Sequence, residues 1–311
     1  MNRVLPAALT AVGLAACDPT GLGVSNPAFR VVAHRGAPNL VCENTMPSFE
    51  VAAALGANAI ETDICVTAAP ERQLVIWHDR DPDDTVAVAR QTGVEGLLCI
   101  PQVPAVGSSW RRPVGALALN ELRAHYGYGP LEDGRDPTYT IPLLAELIEW
   151  LAHNDDIHAV YLDLKLTASE LADAIRVLHM VTEDPRVALV RFYLLSVHPE
   201  VVRGLEAERV SIGAENARVV WDFEGSGALG GTLSAGLRDV SFGLVPSQSW
   251  HGYKEDLADI VNARERREID SVTVWTFDRE MQLAELLYYS VDAVMTNEPG
   301  TLHRLWLESL K

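Results

Sequence analysis

Short apolar runs alternate with helix-like segments along most of this 311-residue chain, and that alternation limits the fold more than any other feature. Strand-like runs stand at 30–34, 58–65, 74–78, 157–165, 190–196, 209–213, 240–245, 271–277 and 291–296. Between them, 45–56, 142–153, 168–180, 199–206, 254–268 and 279–289 read as helices; where it is clearest, at 142–153 and 168–180, apolar residues recur at spacings of three and four. Strands that alternate with helices build a parallel sheet, open or closed, because parallel neighbours need a crossover and a helix supplies it. Nine runs are one more than an eight-stranded barrel uses, so one of 209–213 and 240–245 is expected to be peripheral. The stretch 80–141 breaks the rhythm with Pro101, Pro104, Gly107, Trp110 and Pro113 and reads as an insertion after the third strand without a clear strand of its own. Residues 214–239 read as a second irregular, glycine-rich stretch.

Charge narrows the range of partners. Asp plus Glu number 43 against 25 Lys plus Arg, a formal net charge of −18. A body this acidic repels nucleic acid, and no nucleic-acid partner is expected. Only three lysines occur, Lys165, Lys254 and Lys311. The first sits inside an apolar strand-like run and calls for an explanation.

The N-terminus reads as an address. Arg3 precedes an apolar stretch from Val4 to Ala16, which ends in Leu14-Ala15-Ala16-Cys17. A positive start, a short apolar segment and small residues before a cleavage point are the parts of a secretory signal. The Leu-Ala-Ala-Cys ending resembles a bacterial lipobox, which implies cleavage after residue 16 and lipidation of Cys17. Residues 17–28, rich in Pro, Gly and Ser, suit a tether. The expected organisation is a signal peptide over 1–16, a lipidated tether over 17–28 and one domain over 29–311. The expected location is the bacterial envelope, anchored to the membrane and facing the periplasm. Cys42, Cys65 and Cys99 then remain, enough for one disulfide with one thiol left over, the pairing open.

Polar residues gather where strand-like runs end. His34-Arg35-Gly36 ends the first, Glu61 and Asp63 the second, His78-Asp79 the third, and Asp163 and Lys165 the fourth; Trp275 lies near the end of a late one. Residues two apart on a strand share a face, so Glu61 pairs with Asp63 and Asp163 with Lys165. Three carboxylates offer an all-oxygen nest for a hard divalent cation such as Ca²⁺ or Mg²⁺. Arg and Lys suit a phosphate, and two histidines suit proton transfer near neutral pH. Trp77 and Tyr161 read as packing against helices, Asp83 and Asp84 as a solvated loop, and His198 as structural.

These pieces together resemble the glycerophosphodiester phosphodiesterases: HRG (34–36), ENT (43–45), ETD (61–63), HD (78–79), DLK (163–165), Trp275-Thr276 and TNEP (296–299). The resemblance implies an α/β TIM (β/α)8 barrel that hydrolyses glycerophosphodiesters to an alcohol and glycerol phosphate. It implies Glu61, Asp63 and Asp163 as ligands of a divalent metal, Ca²⁺ ahead of Mg²⁺. It implies His34 and His78 as acid and base, Arg35 and Lys165 on the phosphate, Trp275 against the glycerol, and Glu43 as support for the loop around His34. The chain departs from the family pattern at Asp163, where Glu is usual, and at Phe277-Asp278, where Asn usually follows Trp-Thr. It also lacks an Arg-Thr-Thr segment after His78-Asp79. Asp-x-Lys also resembles the sphingomyelinase D relatives, so an enzyme acting on intact lipids is the alternative, and a non-catalytic envelope binding protein a more distant one.

Overall fold

The computed structural model describes residues 28–225, 227–244 and 248–311. The proposed signal segment and Cys17 lie outside them. Among the described residues eleven strands occur: β1 Arg30–His34, β2 Ala59–Val66, β3 Leu74–Ile76, β4 Ile100–Gln102, β5 Gly127–Gly129, β6 Ala159–Leu164, β7 Arg191–Ser196, β8 Ala217–Glu224, β9 Asp239–Gly243, β10 Ser271–Trp275 and β11 Ala293–Thr296. Eight of them run in the order β1-β11-β10-β9-β8-β7-β6-β2, all parallel, and β2 pairs back with β1. The sheet is therefore a closed (β/α)8 barrel. Val32, Ala59, Tyr161, Tyr193, Leu195, Val220 and Met295 fill its interior. The larger apolar layer lies between strands and outer helices, where Val31, Ile60, Val160, Phe192 and Val272 face Phe49, Leu147, Leu178 and Leu257.

Three details of the strand reading are corrected. The run at 209–213 is the end of a helix, Pro199–Ile212, which starts with Pro at its first turn and stops at Gly213 in a left-handed conformation. Its Val-Ser-Ile tail looked strand-like because β-branched residues favour strands. The barrel strand that takes its place is β8, inside the stretch read as irregular. The run at 240–245 is a barrel strand, β9. The peripheral run is instead 74–78: β3 pairs antiparallel with β2 and belongs to no crossover.

The insertion holds a small β4–β5 ladder and two short helices, Thr85–Arg90 and Leu119–His125. Asp84 caps the first, accepting from Val86 N at 2.9 Å, and Asp83 pairs with Arg111 at 2.6 Å, so this acidic pair is structural. A separate apolar cluster of Trp77, Tyr126, Tyr128, Val114 and Ile141 packs the insertion onto the barrel. Trp77 thus faces insertion tyrosines, and Tyr161 points into the barrel, stacked on Tyr193 at 4.4 Å, instead of packing outward on helices. Cys42 and Cys99 form a disulfide that ties the loop after β1 to the insertion, and Cys65 is the buried free thiol. Among the described residues no helix is long and apolar enough to cross a membrane.

Candidate active site

The chain turns sharply after β1. Arg35 adopts φ 54° and Gly36 φ 93°, and a Cβ on Gly36 would stand 2.3 Å from Ser48 Oγ. Only glycine fits there. The turn brings Arg35 N to the backbone oxygen of Glu61 and to its Oε2, each at 3.0 Å. The Arg35 guanidinium donates to Glu43 Oε2 at 3.0 Å, and its Nε lies 3.3 Å from Asp63 Oδ2. Glu43 is thus bonded to the residue that follows His34.

β2 and β6 are in register at Asp63 and Asp163. The two carboxylates are therefore side by side, with Glu61 two residues earlier on the same face. One oxygen from each of Glu61, Asp63 and Asp163 lies within 4.8 Å of the others. Lys165 Nζ stands 2.5 Å from Asp163 Oδ2 and 3.2 Å from Asp63 Oδ1. Asn44, also left-handed at φ 54°, donates to Asp63 Oδ2 at 2.8 Å and accepts from Thr62 Oγ1 at 2.7 Å.

β2 overshoots the rim and β3 returns beside it, so that Trp77 N donates to Asp63 O at 3.0 Å. The descending return sets His78 at the level of the carboxylates. His78 is therefore not at the upper end of a parallel barrel strand, yet it reaches the same rim. Its Nδ1 donates to Asp79 Oδ1 at 2.6 Å. His34 Nδ1 lies 2.9 Å from Asn297 Oδ1, and the Asn297 amide nitrogen donates to Asp278 Oδ2 at 2.7 Å. That second bond orients the amide, so its oxygen faces the imidazole and Nδ1 carries the proton. Nε2 of His34 keeps its lone pair and lies 3.8 Å from Glu61 Oε2.

Burial governs the electrostatics. It pushes Glu61 well above the usual carboxylate range, and the charge of Asp63 adds to the rise. Asp63 goes well below that range: His78, Lys165 and Arg35 outweigh its burial. Burial raises Asp163 despite Lys165 beside it. Lys165, though partly desolvated, is held firmly protonated by Asp163 and Asp63. Burial and the neighbouring Arg35 draw His34 down to about 4 and His78 well below the ordinary imidazole value. Burial and the charge of Asp163 lift Asp222 to about 7.

His34, Arg35, Glu61, Asp63, His78, Asp163, Lys165 and Trp275 line one cavity of about 500 Å³, with Glu43 behind it. Sequence reasoning gave no role to several residues of this site. Asn44, Asp79 and Asn297 stood inside the motifs with no part assigned to them. Asp278 was read as a departure, yet it orients Asn297. Arg90 is buried in the insertion and bonds Asp79 at 3.0 Å while pairing with Glu43 and Glu95. Asp222, on β8, carried no signal at all.

Residues 34–185, which contain every one of these motif positions up to Lys165, match the sequence model of the glycerophosphoryl diester phosphodiesterase family. This sequence model, a curated relative and solved structures all identify the same family. The chain is an enzyme of the phosphoric diester hydrolase class. A glycerophosphodiester phosphodiesterase from Caldanaerobacter subterraneus subsp. tengcongensis is 24% identical over 287 residues, covering 88% of this chain and 96% of the relative. A glycerophosphodiester phosphodiesterase structure from Parabacteroides distasonis superposes with TM-score 0.63 at 17% identity, covering 91% of this chain and 99% of that one. A phosphodiesterase from Oleispira antarctica, solved with the product sn-glycerol-3-phosphate, gives 0.61 at 18% identity over 88% and 95% of the two chains. At these identities the structural matches bear on the fold of this family member, which is the barrel described above.

Proposed function

We propose that the chain hydrolyses glycerophosphodiesters to an alcohol and glycerol 3-phosphate, with His34 and His78 moving the protons. The observation that carries this reading is the meeting of three carboxylates, two cationic side chains and two oriented imidazoles in one cavity. Oxygen ligands 2.3–2.6 Å from a calcium ion stand up to about 5 Å apart, so the spacing of the carboxylates fits a hard divalent cation. The high proton affinity of Glu61 fits too, since a buried carboxylate beside another lacks positive charge. Glu61, Asp63 and Asp163 would hold the ion, Ca²⁺ ahead of Mg²⁺, and its chemistry is Lewis acidity toward the phosphoryl group.

Arg35 and Lys165 bind the phosphate oxygens and stabilise the charge that grows on them. The amide-backed His34 presents a lone pair at Nε2 and accepts the proton of the attacking hydroxyl. His78, backed by the Asp79 carboxylate, returns a proton to the leaving alkoxide; a bound phosphodiester offsets the positive charge of Arg35 that lowers its basicity. Such acid–base help is worth about 10²–10⁴-fold. Trp275 packs against the glycerol. We also place the enzyme in the bacterial envelope, anchored through Cys17, a reading supported by the signal-like N-terminus and by the Cys42–Cys99 disulfide, a bond that persists in oxidising compartments.

The test is release of glycerol phosphate from glycerophosphocholine, by protein lacking residues 1–17, with Ca²⁺, with Mg²⁺ and with chelator. Turnover that stops with chelator and returns with an ion is the expected result. Turnover indifferent to chelator overturns the metal assignment, and no turnover with either ion overturns the substrate.

A further inference from the structure

The cavity has two chemically different halves. Around β1, β2 and β6 stand Arg35, Lys165 and the three acids; on the other side Leu195, Val197, Met295 and Trp275 make a largely apolar wall that holds the half-buried carboxyl of Asp222, while Asp278 at its edge is exposed and bonded to Asn297. A carboxyl in such a wall costs free energy unless a donor meets it. Ser241 meets part of that need. Its Oγ donates to Asp222 Oδ1 and accepts the indole N–H of Trp275 at 2.7 Å. Gly243 lets the ring lie close: a Cβ there would stand 2.6 Å from ring carbon Cη2 of Trp275. Residues of three adjacent strands, β8, β9 and β10, thus lock a carboxyl and a flat apolar ring into one unit.

Such a unit suits a polyol, whose C–H groups pack on the ring while an O–H meets the carboxyl. A hydroxyl suits Asp222 in either protonation state, because it donates to a carboxylate and accepts from an acid. The catalytic steps assigned above make no use of Asp222.

We propose that Asp222, held in one unit with Ser241 and Trp275, is the specificity-determining residue of this enzyme and receives a hydroxyl of the substrate's glycerol moiety. The proposal rests on the functional reading above and adds the residue that tells glycerol esters from other phosphates.

The experiment is calorimetric binding in Ca²⁺ of glycerol 3-phosphate and of methyl phosphate, which has the phosphate without the hydroxyls. It compares the unaltered chain with Asp222→Leu and Asp222→Asn. Hydrogen bonds to charged groups are worth enough to expect a preference of about 10- to 100-fold for glycerol 3-phosphate in the unaltered chain. Asp222→Leu is expected to abolish that preference with methyl phosphate affinity unchanged. Asp222→Asn, which can still bond Ser241 and fills the same space, is expected to lose part of it. A preference near one in the unaltered chain overturns the proposal, as does an equal loss for both ligands in Asp222→Asn. Because the readout is binding, the two readings fail separately. A retained preference without turnover of glycerophosphocholine faults the reaction and supports the subsite. Turnover without preference overturns the subsite alone.

Discussion

Arg90 Nε stands 3.0 Å from Asp79 Oδ1, the same oxygen that accepts from His78 Nδ1 at 2.6 Å. The guanidinium also pairs with Glu43, whose other oxygen holds Arg35. One buried side chain of the insertion therefore orients both the His78 side, through Asp79, and the Arg35 side, through Glu43, of the site proposed above. The insertion thus serves the site by delivering a clasp to its back.

Removing the clasp leaves Asp79 buried without its ion-pair partner and Glu43 with Arg35 alone. Arg90→Ala should cost about 3–5 kcal/mol of stability, and the displaced groups should lower kcat/KM by about 100-fold. Added guanidinium should restore part of the activity, whereas a merely unfolded variant would not respond. Urea melts and kinetics with and without guanidinium check this.

The pH profile should be displaced to acid. A base that works in its neutral form loses activity as pH falls through its pKa, and His34 is drawn down to about 4 by burial and Arg35. The acid limb of kcat/KM is expected near pH 4, well below the ~6.5 of a free imidazole. The linkage has the same sense. The unfolded chain takes up this proton near pH 6.5 and the native chain only near 4, so the group removes stability as pH falls between those values and has no effect above them. An acid limb that stays at about 6.5 would contradict the role of His34.

Gly36→Ala should damage the site from outside it. The new Cβ would collide with Ser48 Oγ at 2.3 Å, in a left-handed conformation that costs L-residues about 1–2 kcal/mol. Arg35 N would then leave Glu61. Loss of divalent-ion affinity, read by calorimetry, should accompany a fall in the melting temperature.

Reduction of the disulfide should loosen the insertion against the loop after β1. Cys42 and Cys99 are 57 residues apart, and closing a loop of that length is worth about 4 kcal/mol in the chain-entropy view. Cys42→Ser with Cys99→Ser should lower the denaturation midpoint accordingly. Equal midpoints with and without reductant in the unaltered chain would contradict it.

Much of the fold and of the site was legible in the sequence because it is local. Alternation of runs indicated parallel strands and crossover helices, and period-two spacing placed Glu61 with Asp63 and Asp163 with Lys165 on common faces. The side-chain types in the motifs are likewise local properties of the chain. What local pattern could not show was pairing between distant segments. The antiparallel return of β3 depends on how far β2 overshoots the rim, and the helical end at 209–213 depends on Pro199 ten residues earlier. Arg90, Asp278 and Asp222 act through partners 11, 19 and 19 residues away, the Asp278 and Asp222 partners lying across strand boundaries. Side-chain types and spacings along one strand are properties of the chain itself. Which buried charges meet, and which wall of the cavity each carboxyl joins, is decided only when the strands assemble into the barrel, because strand pairing across the crossovers sets β2 beside β6 and β8 beside β9 in the register that pairs them.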